Sequence, residues 1–202
     1  MRLQLLVLSA IGLMGIVCLA QETERKPTVS KEPLTQEQVD IYRAVLNLYM
    51  KHSTVRVNLS DTTEPMDFSG LSSDDTCGKG IDLETTEGRS PVVHTLGPSV
   101  AVASGIVFVD PEQQERKIKE GDPENVIMKG KHTEEELHNS LKKAFDNGLL
   151  SLSEIAFDKS HLHAIVTYSF SCGRLCGCGA VLLLKKSGSR WKVQKPCVGW
   201  VS

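Results

Sequence analysis

The residues best suited to chemistry are four cysteines near the carboxyl end of the chain. Cys172, Cys176 and Cys178 lie in the glycine-rich stretch of residues 172–179, and Cys197 follows it. Four thiolates can complete the tetrahedral shell that Zn²⁺ or Cu⁺ accepts in proteins. The C-x3-C-x-C spacing differs from the C-x2-C knuckle of common zinc sites. A metal site at these four cysteines is therefore an alternative and not the main hypothesis.

The first twenty residues predict that the chain is exported. Arg2 precedes an almost wholly apolar run over residues 3–19, and Cys18 and Ala20 are small residues at the positions that a signal peptidase reads. Lipidation of Cys18 is an alternative, but Val17 fits poorly because a small residue is required there. Without Arg2 the chain has 22 Lys and Arg against 25 Asp and Glu, which argues against nucleic-acid binding. We expect a periplasmic or extracellular protein, with no membrane-spanning segment in the mature chain.

Export changes the expected chemistry of the cysteines, because thiols in an oxidising compartment tend to form disulfides. The predicted mature chain keeps Cys77 and the four carboxyl-terminal cysteines, which is an odd number. If residues 173–177 form a hairpin loop, Cys172 and Cys178 face each other across it, and Cys172 with Cys176 is the tighter alternative. Cys197 pairs with Cys77 or with a loop cysteine, and the sequence does not decide between these partners.

A thiol-redox site is a further alternative for the same stretch. It would use Cys176 and Cys178, with Arg174 stabilising an exposed thiolate. No thioredoxin-like βαβ pattern surrounds these residues, so a structural disulfide is the main prediction.

Other polar groups give weaker signals. His161 and His163 would point to one face at the start of a strand, but a polar pair beside a turn is the simpler interpretation. Asp61 begins a polar run at a strand end, where a capped turn is again simpler than a ligand site. A hydrolase built on Asp61 or on the two histidines is a minor hypothesis. The remaining candidates lack a complete motif; they are Thr62 and Thr63 after Asp61, His132 with His138, and the S-x-x-K match of Ser140 and Lys143.

The two tryptophans have different expected roles. Trp191 alternates with Val193 and is expected in the core, whereas Trp200 lies beside Gly199 near the end of the chain. An exposed Trp200 would indicate an interaction surface.

Two capping boxes predict the main helices that surround these residues. Thr35 with Gln38 begins a helix expected over residues 36–51, and Thr133 with Glu136 begins a second one. Apolar residues recur at helical spacing after both boxes, so each helix should bury one face.

Apolar runs and turn residues predict the strands and the domain organisation. We expect a signal peptide over residues 1–20, a flexible lead-in over 21–34 and a single α+β domain over 35–202. In that domain two main helices pack on an antiparallel sheet that ends in a four- or five-stranded meander. Strands are expected near residues 55–59, 100–109, 149–157, 162–170, 180–184 and 191–193, with a bulge near Ser104. Residues 64–91 should form a loop. Residues 110–132 should form a charged surface insertion that contains a short helix at 112–119.

The carboxyl-terminal third resembles a group of exported bacterial proteins of uncharacterised function. The resemblance is clear over residues 148–202 and loose before them. It implies a secreted α+β layout, favours Cys172 with Cys176 as the pair, and supplies no reaction or ligand. Cys178 departs from the pattern of the group, which makes it the candidate for the unpaired thiol. The residues that carry the resemblance are 148–153, 156–157, 164–166, the CGxLCGxG match of 172–179, the tryptophan-containing strand of 191–193, and 200–202.

The sequence contains no complete set of acid, base and nucleophile. We therefore expect an exported, non-enzymatic domain, stabilised by at least one disulfide, with a binding or envelope role, an unknown partner and no cofactor. The alternative is a periplasmic metal-binding or thiol-redox protein that uses Cys172, Cys176, Cys178 and Cys197.

Overall fold

The computed structural model describes residues 26–51, 56–67, 81–84 and 91–202. Helices pack on a sheet that ends in a carboxyl-terminal antiparallel meander, which confirms the expected α+β class. The helices are α1 (Gln36–Met50), α2 (Pro111–Glu120), α3 (Glu124–Ile127) and α4 (Glu134–Asn147), with a 3-10 turn at Pro98–Val100. The strands are β1 (Thr28–Val29), β2 (Val57–Ser60), β3 (Val92–Val93), β4 (Ile106–Val109), β5 (Leu149–Leu152), β6 (Ala156–Phe157), β7 (His163–Gly173), β8 (Cys176–Ser187) and β9 (Arg190–Val201).

The main sheet is mixed and not purely antiparallel. Its strand order is β4-β2-β5-β7-β8-β9, with β6 also paired to β7. Strands β4, β2 and β5 run parallel, and the pairs β5–β7, β7–β8 and β8–β9 are antiparallel. Parallel strands need long crossover connections, and the segment containing α2, α3 and α4 supplies one from β4 to β5, which lie on either side of β2. Strands of four residues carry no sequence signal of their direction, so this half of the sheet was not foreseen.

Helix α1 covers one face of the sheet and forms the main core with it. The expected capping box is present, because the Thr35 side chain accepts from the Gln38 backbone and the Gln38 side chain accepts from the Thr35 backbone. The Tyr42 hydroxyl donates to the Ser153 carbonyl at 3.1 Å and so joins the helix to the chain that follows β5. The buried side chains of this core come from α1, β2, β4, β5, β7 and β8 and include Ile41, Tyr42, Leu46, Leu59, Leu150, Leu152, Val166, Leu182 and Leu184.

The opposite face of the sheet is covered less completely. A small cluster of Ala156, Ile165 and Leu183 lies under part of the segment that we expected to be loop. Further along, α2 buries Gln114 and Ile118. The Gln114 amide donates to the Asn147 carbonyl at 2.5 Å. The segment predicted as a charged surface insertion thus packs partly on the domain.

Two other expectations need correction. The predicted strand of residues 100–109 is a strand only over Ile106–Val109, since the 3-10 turn and a tight turn occupy its first half. Helix α4 starts at the expected capping box of Thr133 and Glu136, but Ala144 is its only buried residue. Phe145 from its apolar stripe is 58% exposed and stacks on Phe170.

The carboxyl-terminal meander follows the expected alternation. Residues 164, 166, 168 and 170 of β7 face α1, and Ile165 faces the other side. Gly188, with φ 63°, makes the turn between β8 and β9 that a side chain would resist. Trp191 is 6% exposed and lies in the core, as predicted.

Candidate functional site

The hairpin between β7 and β8 holds the predicted disulfide. Cys172 and Cys176 are bonded, with their Cα atoms 5.1 Å apart. The expected loop over residues 173–177 was too long, because Gly173 pairs with Cys176 across the hairpin and a bulge lies between Ser171 and Gly173. Cys178 stands opposite Phe170 in this register and not opposite Cys172. The bulge, which changes the register by one residue, leaves no signal in the sequence.

The other cysteines have distinct states. Among the described cysteines Cys178 is a free thiol, and Cys197 is disulfide-bonded. Cys77 lies outside the described residues. In this oxidised state the four sulfur atoms of Cys172, Cys176, Cys178 and Cys197 cannot form a common thiolate shell, because a metal would require the bonds to be reduced. Among the residues that the structure describes, no group of three or more His, Cys, Asp or Glu side chains is arranged to hold a metal ion.

Arg174 anchors the disulfide hairpin to the chain that follows α2. Its backbone N–H donates to the Asp122 carboxylate at 3.0 Å, and its guanidinium donates to Glu124 at 2.8 Å. The hydrogen bond that the guanidinium donates to Glu124 raises the pKa of Arg174. Gly173 has φ 149°, and a Cβ there would lie 3.2 Å from the Asp122 carboxylate. Arg174 is thus occupied by acidic partners instead of assisting a thiolate at Cys178.

A cleft of about 310 Å³ lies beside this hairpin, on the sheet face opposite α1. Three serines from β5 and β7 form its floor, namely Ser151, Ser169 and Ser171, and we call it the serine cleft. Ser151 is buried, yet none of the three hydroxyls hydrogen-bonds another residue in the described part of the chain. These serines therefore keep both the donor and the acceptor capacity of their hydroxyls for a ligand.

Charged side chains of both signs border the serine cleft. Lys119 lies 3.9 Å from Glu115 on α2, and Arg174 pairs with Glu124 at the hairpin. The remaining acidic residues at the cleft are Glu64 and Asp122, and Leu149 and Ile118 add an apolar contribution. Both cations of the cleft wall are thus matched by carboxylates of the protein itself.

The floor of the serine cleft was missed in the sequence, although a signal for it exists. Hydroxyl-bearing residues occupy alternate positions 167, 169 and 171 of β7, which places them on one face of a strand. We interpreted that face only as the polar side of the strand. The partner residue Ser151 pairs directly with Ser169, and a sequence does not reveal such a cross-strand neighbour.

The predicted histidine pair is not a site. His161 precedes β7, has φ 53° and stacks on Phe157 at 4.8 Å between ring centroids. His163 lies on β7, and its Nδ1 is 3.1 Å from the Asp158 carboxylate. The two imidazoles have different partners beside the turn that precedes β7, which fits the simpler interpretation of a polar pair.

The polar run after β2 forms a turn and a network with a third histidine. Ser60 Oγ donates to the Thr62 carbonyl, as in the capped turn that we expected. Thr63 Oγ1 donates to Glu154, whose carboxylate is also 3.0 Å from His94 Nδ1. In a nucleophile–base relay the hydroxyl bonds the imidazole, whereas here it bonds the carboxylate. This order of contacts does not activate the hydroxyl.

Asp61 stands beside Asp110 at the carboxyl ends of two parallel strands. Burial and the nearby Asp110 carboxylate raise the pKa of Asp61. Asp110 accepts from the Gln113 backbone as the cap of α2. These contacts give both aspartates a structural role at the strand ends.

The helix residues singled out earlier do not meet another catalytic group in the described chain. His138 lies with Leu137 and Leu141 at an open depression on α4. Ser140 and Lys143 are on the same helix, with no partner motif around them. His132 precedes the cap of that helix.

Comparisons of the chain with protein-family models, with curated proteins and with solved structures found no match. Among the described residues, no helix combines the length and apolar character needed to cross a bilayer.

Proposed function

We propose that this chain is an exported, disulfide-stabilised binding domain, without enzymatic activity, whose ligand site is the serine cleft. The observation that carries the proposal is the cleft floor, where the hydroxyls of Ser151, Ser169 and Ser171 have no hydrogen-bond partner in the described part of the chain. A serine hydroxyl can both donate and accept a hydrogen bond. A ligand with hydroxyl or amide groups would supply the missing partners.

The composition of the cleft wall supports binding rather than catalysis. Among the described residues, its lining contains no histidine and no cysteine, which are the groups that most often activate a nucleophile at neutral pH. Lys119, the lysine of this described lining, is paired with Glu115. The fixed hairpin with its disulfide gives the site a rigid wall, which lowers the entropic cost of binding.

The leader of residues 1–20 and the oxidised cysteines support an exported location. We propose the periplasm or the extracellular space as the place where the domain acts. The metal-binding alternative requires the reduced chain, in which Cys172 and Cys176 are thiols. The thiol-redox alternative requires their disulfide to be reduced and formed again in each cycle.

The binding proposal is tested with the mature, oxidised chain and a panel of small polar molecules: hexoses, amino acids, dicarboxylates and nucleosides. A ligand that binds the folded state raises the midpoint of thermal unfolding, and the stabilisation grows with the logarithm of the ratio of ligand concentration to Kd. We expect at least one class in the panel to do so. The double variant Ser151→Ala and Ser169→Ala should lower the affinity for that ligand about tenfold or more, since each lost hydroxyl leaves a ligand group without a partner.

Ser187→Ala is the matched control, because Ser187 lies in the far turn of β8, opposite Arg190. It should leave affinity unchanged. If no member of the panel binds at millimolar concentration, or if the double variant binds as tightly as the wild type, the serine cleft is not the ligand site.

A further inference from the structure

A single row of residues extends the floor of the serine cleft across four neighbouring strands. Ser151 on β5 pairs with Ser169 on β7, Ser169 pairs with Gly179 on β8, and Gly179 pairs with Trp200 on β9. Directly paired residues point to the same face of a sheet. The row therefore leads from the serine cleft, over a glycine, to a tryptophan on the same face.

The indole of Trp200 lies flat on β8 because two glycines leave room for it. A Cβ at Gly179 would be 2.6 Å from Trp200 Nε1, and a Cβ at Gly177 would be 3.2 Å from Trp200 Cζ3. Glycine weakens a strand interior and often marks a close approach of another group. Here the ring covers both glycines, which pair with Ser169 and Ser171 of β7.

The outer face of this indole is open. Trp200 is 45% exposed, whereas Trp191 on the same strand is 6% exposed. The exposed part of the indole offers a ligand a flat apolar face beside the hydroxyls of the cleft. Neighbouring strands are about 4.8 Å apart, so Ser169 lies only about one strand spacing from the glycine under the ring.

We propose that the serine cleft and Trp200 together form a binding surface for a neutral glycan. One pyranose ring stacks on the open face of Trp200, and its hydroxyl groups, or those of the next sugar, bond Ser169, Ser171 and Ser151. This inference rests on the proposed binding function of the cleft and names the class of its ligand.

The chemistry of a sugar ring matches this arrangement. A pyranose presents C–H groups on one face, and their slightly positive hydrogens are attracted to the electron-rich face of an aromatic ring. Its rim carries hydroxyls, which need partners that both donate and accept, as serine hydroxyls do. The glycine under the indole and Ser169 are one strand spacing apart, which is about the width of one sugar ring.

The charges of the site favour a neutral ligand over a phosphorylated one. Lys119 and Arg174 are the cations of the cleft lining, and both are paired with carboxylates. Glu64 and Asp122 add negative charge to the same wall. A nucleotide would also stack on Trp200, but its phosphate would meet this acidic wall.

The test uses the mature, oxidised chain and neutral oligosaccharides of glucose, of N-acetylglucosamine and of xylose. The chain has two tryptophans, so its NMR spectrum contains two indole N–H signals. A bound glycan should shift the Trp200 signal and leave that of the buried Trp191 in place. Trp200→Ala should lower the affinity for the tightest-binding glycan about tenfold, which is the order expected for the loss of one aromatic stacking contact.

Val201→Ala is the matched control, because Val201 is 85% exposed and pairs with Cys178 on the opposite face of β8. It should bind like the wild type. The glycan proposal is overturned if the oligosaccharides do not bind while another class in the polar panel does, or if Trp200→Ala leaves glycan affinity unchanged. A nucleoside that shifts the Trp200 signal where glycans do not would overturn it as well. The proposed binding function falls separately, if no small polar molecule of either panel binds.

Discussion

At the scale of single residues, Asp158 organises the turn that leads into β7. Its carboxylate accepts from the Ser160 hydroxyl at 2.6 Å and from the backbone N–H groups of Leu162 and His163, both at 2.9 Å. Burial opposes the charge, but these hydrogen bonds and the bond to the His163 ring lower the pKa of Asp158 overall. The charged carboxylate thus holds a turn in which His161 adopts φ 53°.

Asp158→Asn should destabilise the fold, and the loss should depend on pH. At pH 7 we expect a decrease of about 2 kcal/mol in the free energy of unfolding, since charge-assisted bonds to a poorly exposed group are lost. The folded pKa lies below that of an unfolded aspartate, about 4, so the unfolded chain takes up more protons as the pH falls toward that value. The wild-type advantage should therefore shrink between pH 6 and pH 3 in urea unfolding.

Asp82→Asn is the control for this prediction. Asp82 pairs with Lys159 at 2.7 Å, but the two side chains are 72% and 66% exposed. An exposed ion pair contributes little, so the change should be below about 1 kcal/mol. A difference between wild type and Asp158→Asn that stays constant with pH would contradict the assigned role of the carboxylate.

At the scale of elements, the hairpin of β7 and β8 combines two constraints. The disulfide closes a short loop between residues four apart in sequence. The Asp122 carboxylate holds the Arg174 backbone and also accepts from the Glu124 backbone at 3.0 Å. The same side chain therefore fixes the start of α3 and the tip of the hairpin, so one wall of the serine cleft is set by both.

The double variant Cys172→Ala and Cys176→Ala should measure the disulfide constraint. Chain-entropy arguments for so small a loop give a loss of about 2 kcal/mol in the free energy of unfolding. The loosened hairpin should also lower the affinity of the serine cleft for its ligand. Urea unfolding and the thermal-shift panel measure the two effects. Cys178→Ala is the control, since this thiol faces α1 beside Tyr168, and equal stability of the two variants would show that the disulfide does not stabilise the fold.

The sequence predicted the elements whose signals are local. Thr35 with Gln38 and Thr133 with Glu136 located both long helices, and the turn at Gly188 located the last hairpin. Helix α2, expected over residues 112–119, spans Pro111–Glu120, and Asp110 caps its start before Pro111 in the first turn.

The sequence did not predict what depends on pairing between distant residues. The parallel register of Leu59 with Phe108 and the bulge at Cys172 arise from tertiary contacts. The serine cleft exists only because Ser151 and Ser169 meet across strands. The sequence marked Trp200 as a residue for an interaction surface if exposed. It did not predict that the indole packs on Gly177 and Gly179, because that contact follows from the register of β8 and β9.

At the scale of the whole molecule, the two faces of the sheet differ in composition and in how they are covered. The face under α1 is apolar and closed, and its fully buried side chains, such as Leu59 and Leu150, carry the stability of the fold. The other face combines a small apolar cluster with the open serine cleft. A binding site on the second face can change without disturbing the core, because the sheet separates the two.

The oxidised state links this architecture to the compartment. Cys172 and Cys176 are bonded and Cys197 is bonded as well, so Cys178 is the single thiol among the described cysteines. Expressed in a bacterial host with residues 1–20, the chain should be exported, begin at Gln21 and carry one reactive thiol. Expressed from Gln21 in a reducing cytoplasm, the same chain should carry more free thiols and unfold at lower urea concentration, since disulfides restrict the unfolded state.

Peptide mapping by mass spectrometry and thiol titration with a maleimide distinguish these products, and metal analysis completes the comparison. Cys178→Ala should abolish the maleimide reaction of the exported form, because that thiol is the one we expect to remain. An exported chain with free Cys172 and Cys176 that holds one equivalent of zinc or copper would instead establish the metal-binding alternative. That result would remove the rigid hairpin from the wall of the serine cleft, since the chain cannot hold a metal on thiolates that are bonded to each other.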